Sequence, residues 1–404
     1  MRDLRLMSQV QTVPATLPVQ SRSLVFSSVE AVSIPWAIWI LVAGITISVV
    51  GGDWDLSWHR SIGRDTFWTP PHILIQMGAG VLVGIASAYA ILTTTLAGAS
   101  PARDASVQVL GLHAPGGAFI AVWGSLALFA SAPFDNWWHN AYGLDANFAS
   151  PPHVLVMLGF LATNVGAMAW MASIMNRSND ALRGRLAWLF LIAGSICVSL
   201  LLILTMPFYA RTNMHTAECY LVIALFVPSA MIATGWGSAH KWGCTIVAAV
   251  YTGIGLGSEW LLPLVPAQPK LGPVYHNVTH LIPTEFPPLL IVPAFVADLL
   301  LRRLERRSSW IKAVWVGPAF VLSFLAVQWP FANFLMSPGS RNWIFGTTYF
   351  AYSDAAGFLF DPYEFDATEK AGAFLLTMAI ALVASILTTS LGLAWGGWMR
   401  RIRR

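Results

Sequence analysis

The sequence predicts an all-α, polytopic membrane helix bundle with about ten transmembrane helices. Of the 404 residues, 56% are hydrophobic and only 10% are charged, whereas soluble globular chains carry about 25% charged residues. Apolar runs long enough to cross ~30 Å of hydrocarbon, about 20 residues each, recur along the chain. Backbone polar groups in lipid must be satisfied within each segment, so each run is expected to be a helix. This composition excludes a cytosolic enzyme, a nucleic-acid-binding protein and a disordered protein.

Three segments follow one another along the chain. Residues 1–30 are polar and contain three arginines, and they lack a small-residue cleavage site after a short apolar core. We therefore expect a disordered cytoplasmic tail rather than a cleaved signal peptide. Residues 31–175 form a helical half that carries a duplicated metal motif, and residues 176–404 form a second helical membrane half.

The two halves together contain ten predicted spans. The third and eighth apolar runs are short, which allows those segments to be tilted, kinked or partly re-entrant. In chain order, the spans lie near residues 33–50, 71–94, 117–133, 152–175, 187–207, 217–236, 242–262, 285–301, 313–335 and 371–397.

The distribution of lysine and arginine predicts the orientation of the bundle. With the N-terminus inside, 17 of the basic residues lie in inner segments and 6 in outer segments. Because cytoplasmic loops are enriched in Lys and Arg, both termini are expected in the cytoplasm. In a bacterial inner membrane, the opposite face is the periplasm. Most of the histidines, 7 of the 9, lie on that outer side.

Two outer segments share a motif of possible metal ligands. In each, an aspartate precedes a Trp-His pair by a fixed spacing, and a second histidine directly follows a Pro-Pro pair. The histidine comes 4 residues after the aspartate in both copies, and the second histidine follows after a further 13 or 14 residues. The candidate ligands are Asp55, His59 and His72 in the first copy and Asp135, His139 and His153 in the second.

Local structure explains how the three candidate ligands of the first copy can come together. Asp55 and His59 are spaced i, i+4 and therefore share one helix face. Gly63 can end that helix in a left-handed conformation, and the prolines at 70–71 can start the next. His72 then lies in an opening turn that faces the first helix. Two imidazoles and one carboxylate with open coordination positions suit iron, copper or zinc.

Other interpretations of the repeat stay open. Interfacial Trp and His are often simply amphipathic side chains at headgroup level, and a duplicated helix-turn unit can use Trp, Gly and Pro for packing alone. Asp65 and Asp145 are candidates either to orient a ligand histidine or to cap the next helix.

A third, degraded copy follows later in the chain. His276 and His280 are spaced i, i+4, and Glu285 precedes another Pro-Pro pair, but Leu289 stands where the motif histidine is expected. These residues form a weaker candidate ligand set, and an incomplete copy that serves only packing is an equal alternative.

The stretch DLSWHRSIGRDTFWTPPH resembles the C chain of the copper membrane monooxygenases, the methane and ammonia monooxygenase family. That family has Asp-x3-His-x12-His followed by Thr-Pro-x-His, and Asp55, His59 and His72 match its ligand positions. The family's second motif is Asn-x3-His-x13-His, from which Asp135 departs. The match covers about 20 residues at each site, and no correspondence is evident beyond about residue 175.

The resemblance implies copper at one or two periplasmic sites, dioxygen activation and hydroxylation of a small apolar substrate. It also implies partners in the lipid bilayer, either other monooxygenase-like subunits or further copies of this chain. Two alternatives remain: a copper or zinc transport or delivery protein, and a non-catalytic membrane assembly protein. The sequence has no CPC motif and no regular Met ladder across the membrane, and His113 and His240 lie at the opposite face.

Overall fold

A computed structural model describes residues 33–63, 68–143, 150–270, 278–349, 365 and 369–404. Within these ranges the fold is all-α, as predicted, apart from one short antiparallel hairpin. The predicted tail at 1–30 and the candidate residues Asp65, Asp145 and His276 lie outside the described part of the chain.

The described chain folds into twelve α-helices, one π-helical segment, the hairpin and several single 3₁₀ turns. The elements are α1 Trp36–Ser61, α2 Pro70–Ile75, the π segment Gln76–Leu82, α3 Val83–Leu96, α4 Pro101–Asp104, β1 Val107–Val109, β2 Leu112–Ala114, α5 Gly116–Tyr142, α6 Pro151–Met175, α7 Asp180–Thr205, α8 Ala217–Ser238, α9 Gly243–Leu261, α10 Ile291–Arg303, α11 Ser309–Leu335 and α12 Ala371–Met399. The 3₁₀ turns are Met206–Tyr209, Arg211–Asn213, Leu262–Leu264, Pro338–Ser340 and Trp343–Phe345.

Nine helical stretches in the described ranges are long and apolar enough to cross a membrane. Nine of the ten predicted spans overlap them. The third span was predicted to be short, ending at residue 133, and this was wrong because α5 continues to Tyr142. Its last turns are polar and aromatic, so the apolar run ends before the helix does.

The eighth predicted span, near 285–301, is a broken crossing. Residues 281–290 are non-helical and almost entirely buried, and only α10 is helical. Pro283, Pro287 and Pro288 explain the break, since proline lacks a backbone donor and clashes within a helix. Non-helical backbone at membrane depth needs protein partners. Arg60 donates to the carbonyl of Pro283 at 3.0 Å, and the amide of Ile282 donates to Ser61 Oγ at 2.7 Å.

Glycines set the close packing of the two motif-bearing helical hairpins. The first consists of α1 with the α2–α3 stretch, and the second consists of α5 with α6. A Cβ built on Gly44 of α1 would lie 2.9 Å from the carbonyl oxygen of Gly78 in the π segment. A Cβ on Gly124 of α5 would lie 2.8 Å from the carbonyl oxygen of Gly159 in α6. Small residues at such interfaces let helix backbones approach closely in membranes. Each hairpin is thereby fixed along its length, which positions the ligands at its end.

One end of the bundle, where α1 begins and α12 ends, is called here the basic end because Arg177, Arg302 and Arg400 lie there. Asn176 after α6 donates to the carbonyls of Met399 and Ile402, both at 2.7 Å. The opposite end, called the motif end, carries the end of α1, the start of α2, the end of α5 and the start of α6. Which membrane face each end occupies stays a prediction.

Candidate metal centre

The first triad assembles at the junction between α1 and α2. Asp55 and His59 lie one turn apart near the end of α1, and His72 lies in the first turn of α2. Thr69 caps α2 by accepting a hydrogen bond from the His72 amide at 3.4 Å. Gly63 adopts a φ of 109° beyond the end of α1. The glycine stop and the proline start therefore turn the chain as the sequence indicates.

The geometry of this triad is that of ligands around one point. His72 Nε2 lies 3.1 Å from Asp55 Oδ1, and His59 Nε2 lies 3.6 Å from Asp55 Oδ2. Ligands that bind one ion at about 2.0–2.2 Å lie about 3–3.6 Å from each other, which both distances match. The one ligand atom offered by each residue lies within 4.8 Å of the other two.

The Asp55 carboxylate is buried between the two imidazoles. Its Oδ1 atom has His72 Nε2, 3.1 Å away, as its partner. The 3.6 Å separation between its Oδ2 atom and His59 Nε2 is too long for a hydrogen bond. A cation shared with the two imidazoles would neutralise the charge of this carboxylate, and a buried charge needs such a partner. The residues present thus fit a metal ion.

The second triad repeats the arrangement at the ends of α5 and α6. His139 Nε2 lies 3.6 Å and His153 Nε2 3.7 Å from the two carboxylate oxygens of Asp135. The ring of His139 is oriented by a 3.2 Å contact between its Nδ1 atom and the carbonyl of Gly143. A backbone carbonyl on the far ring nitrogen is the usual way to orient a metal-ligating histidine. The Oδ1 atom of Asp135 is also buried and accepts no hydrogen bond from the described residues.

The two triads differ in tightness. Among the described residues, only the first triad brings three ligand atoms within 4.8 Å of one another. The second triad lies at the same end of the bundle, but its three ligand atoms are farther apart. His153 belongs to the ionisable groups whose charge acts on Asp55, so the two triads share one polar region.

A π-helical segment fixes the helix that carries His72. The amide of Ala79 in this segment donates to Ser48 Oγ of α1, and Ser125 Oγ of α5 donates to the carbonyl of Ala79 at 2.7 Å. Gln76 Nε2 donates to the carbonyl of Leu128 at 3.2 Å. Single π turns inside helices are frequent at functional sites. These bonds tie the two motif-bearing hairpins together next to the first triad.

No family model, no curated protein and no solved structure matches this chain. The resemblance of residues 55–72 to the monooxygenase C chain therefore stays a prediction that rests on the motif itself.

Two members of the third predicted ligand set, His280 and Glu285, lie in the described residues, each in contact with other side chains. Glu285 pairs with Arg60 at 3.6 Å and accepts a hydrogen bond from the Arg211 amide at 3.3 Å. His280 stacks on Tyr349 with ring centroids 3.7 Å apart. His276 lies outside the described ranges. In this structure Glu285 contacts Arg60 and Arg211, and ligation by the set stays a prediction.

Sequence reasoning missed a buried charged cluster behind the first triad. Asp53 accepts a hydrogen bond from Ser258 Oγ at 2.7 Å and lines a cavity of about 30 Å³. Glu259 is completely buried, and neither of its carboxylate oxygens has a hydrogen-bond partner in the described part of the chain. Arg60 and Arg211 are the cations that act on Glu259. Ionisable residues inside apolar runs mark functional regions by default, and that signal was present in the sequence.

Proposed function

We propose that this chain is a membrane copper protein whose principal site is Asp55, His59 and His72. The observation that carries the proposal is the convergence of one carboxylate and two imidazole Nε2 atoms from two helix ends. A second copper site at Asp135, His139 and His153 is part of the proposal, supported by the repeated geometry. Two independent hairpins that bring the same three ligand types together are hard to explain as interfacial packing.

Copper is favoured over zinc and iron on two grounds. A mixed imidazole and carboxylate set accepts zinc, copper or iron, and among divalent first-row ions copper binds such sites most tightly. The motif of the first triad also resembles that of the copper membrane monooxygenases. We therefore take copper as the native metal, and zinc or iron as outcomes of the metal analysis described below.

The finer proposal is oxidation of a small apolar molecule. Three protein ligands leave coordination positions open, and bound copper would supply one-electron chemistry with dioxygen. His59 and His72 bind through Nε2, and Asp55 offsets the charge of the ion. Trp54 and Trp58 pack edge to face at 6.4 Å beside the site. They form an apolar wall along which a substrate dissolved in the bilayer can approach.

The structure favours this role over metal transport. A transporter needs ligands that continue across the membrane, yet in the described residues both triads lie at the motif end of the bundle. At the basic end, His113 contacts Ser106 Oγ at 3.3 Å. The ring of His240 accepts a hydrogen bond from the Trp242 amide at 3.2 Å. Both histidines are thus engaged in local contacts.

Metal analysis of protein purified in mild detergent tests the proposal. We expect copper in the wild-type protein and its loss from the first site in the double variant His59→Ala/His72→Ala. His113→Ala, a histidine substitution at the basic end, is the matched control and should keep its copper. Unchanged copper content in the double variant would remove the site assignment. Copper-loaded protein that hydroxylates no small alkane with dioxygen and a supplied reductant would refute the finer proposal.

A further inference from the structure

A cavity of about 250 Å³ opens at the basic end, far from both triads. It lies between the ends of α8, α10 and α12, and cationic side chains dominate its wall: Lys241, Arg302 and Arg400. Its volume is just below the range of about 300–1,000 Å³ in which small-molecule ligands bind. The cavity therefore has room for a charged group with part of a larger molecule attached.

The acidic side chains of the cavity do not balance these cations. Asp298 accepts hydrogen bonds from the amides of Cys244 and Thr245, at 3.1 and 2.8 Å, and from Thr245 Oγ1 at 2.7 Å. Its negative charge is therefore committed to the positive N-terminus of α9. The second acid, Glu305, is exposed, as are Lys241 and Arg302. With three cations against two carboxylates, one of which is committed to α9, the wall keeps a net positive charge.

Two cations at the cavity, Arg400 in its wall and Lys312 next to it, stack on one tryptophan ring. The guanidinium of Arg400 and the ammonium of Lys312 lie 4.2 and 4.4 Å from the ring centroid of Trp236. Lys312 is only 5% exposed. Among the described residues, no carboxylate lies within 4.0 Å of either cation. Burial and the like charge of Arg183 lower the pKa of Arg400, partly opposed by Glu305.

Arg400 is nevertheless held in place. Its Nε atom donates to the carbonyl of Trp236 at 2.5 Å, which fixes the plane of the guanidinium and leaves its terminal N–H groups available. Arginine in a fixed orientation pairs with phosphate through two parallel hydrogen bonds. A bound phosphate would give the partly buried Arg400 a directly paired counter-ion.

A tryptophan-lined groove lies beside this cavity, and its Trp39 and Trp188 side chains are exposed on the surface of the bundle. Trp39, Arg185 and Trp188 line a second cavity of about 460 Å³. The ring of Trp188 packs against that of His240, a residue of the basic cavity, at 5.7 Å between centroids. Tryptophan is enriched where membrane meets water. The neighbouring surface thus suits the glycerol and upper acyl chain of a lipid.

We propose that the basic cavity binds the phosphate group of an anionic phospholipid, with Lys241, Arg302 and Arg400 as its contacts. Basic pockets between transmembrane helices commonly hold such headgroups. Free phosphate shares the chemistry, but the tryptophan groove beside the cavity favours the lipid. The site is independent of the metal centre.

Native mass spectrometry of detergent-purified protein tests this proposal. The protein is incubated with phosphatidylglycerol, with phosphatidylcholine or with inorganic phosphate, and bound ligand and thermal midpoint are recorded. We expect one retained phosphatidylglycerol, a raised midpoint, weaker retention of phosphatidylcholine and no shift with inorganic phosphate. In the variant Lys241→Gln/Arg302→Gln, retention should fall about fivefold for each charge, the equivalent of roughly 1 kcal/mol.

Arg306→Gln/Arg307→Gln removes two exposed charges from the adjacent loop and is the matched control. It should retain the lipid, and both variants should keep the wild-type copper content, which separates this site from the metal centre. Equal retention of phosphatidylglycerol and phosphatidylcholine would overturn the proposal. So would equal loss in the two double variants, or a shift with inorganic phosphate as large as that with the lipid.

Discussion

The Nε2 atom of His72 lies 3.1 Å from Oδ1 of Asp55, across the junction where α1 ends and α2 begins. One carboxylate therefore joins two helices that follow one another in the chain. In the second hairpin Asp135 occupies the same relation to His153 at 3.7 Å. The separations are short enough for a shared ion in both hairpins, and the carboxylate is the common element.

Asp55→Asn should strongly weaken copper binding at the first site, because the amide keeps the shape but loses the charge that offsets the ion. Loss of an outer-shell partner alone commonly costs about 10–100-fold in affinity, so a first-site ligand should cost at least that. Asp135→Asn makes the same change at the second site and should leave the copper affinity of the first site unchanged. Competition titration with a copper chelator measures both. Equal affinities in Asp55→Asn and wild type would contradict the role of the carboxylate.

Gly124→Ala should destabilise the second hairpin and separate its ligands. The added Cβ would lie 2.6 Å from the amide nitrogen of Thr163 and 2.8 Å from the carbonyl oxygen of Gly159, both backbone atoms. Overpacking of this kind costs about 1–3 kcal/mol. Gly253→Ala is the control, since nothing lies within 4 Å of its Cβ, and it should stabilise a helix by about 0.5–1 kcal/mol. The free energy of unfolding, measured in detergent, should be higher for the control than for wild type and lower for Gly124→Ala.

Much of the site was predictable because its determinants are local. The i, i+4 spacing of Asp55 and His59, the glycine at 63 and the prolines at 70–71 each act within a few residues. The helical fold class was likewise encoded in composition and apolar run length. The end of α5 was not, because hydrogen bonds within a helix continue through Trp137 and His139 regardless of where apolar character stops.

The broken crossing depends instead on contacts between distant parts of the chain. Arg60 and the carbonyl of Pro283 are 223 residues apart in sequence, and the hydropathy of residues 285–301 resembles that of any short span. The shortness of this apolar run allowed a kinked or partly re-entrant path, but it did not reveal the side chains that satisfy the exposed backbone. The buried pair of Asp53 and Ser258, 205 residues apart, was hidden for the same reason.

Glu285→Gln should lower the stability of the whole bundle. Glu285 and Arg60 are 2% and 10% exposed at the side chain, and removal of one partner leaves an uncompensated buried charge, which costs about 3–5 kcal/mol. Chemical unfolding in detergent measures the change. Lys270→Gln, at an exposed position of the same end, is the control and should stay within about 0.5 kcal/mol of wild type. If Glu285→Gln had the same free energy of unfolding as wild type, the Glu285–Arg60 pair would not stabilise the broken crossing.

His215 should make the protein less stable as the pH falls. Its ring stacks between Trp329 and Phe365, with centroids 4.0 and 3.8 Å apart. Burial lowers the pKa of His215, partly opposed by the hydrogen bond to the Trp329 carbonyl. A histidine with a lowered pKa in the folded state binds protons more readily when unfolded. Its contribution to stability is therefore complete above about pH 6.5 and is lost as the pH falls below that value.

The measurement compares thermal midpoints of metal-free wild type and His215→Gln across this pH window. The difference between the two proteins isolates His215 from the triad histidines, whose carboxylate partners are present in both. We expect the wild type to lose more stability than the variant between pH 7.5 and 5.5, values chosen to bracket the ordinary histidine pKa of about 6.5. Parallel pH profiles would show that the aromatic stack tolerates the charged ring.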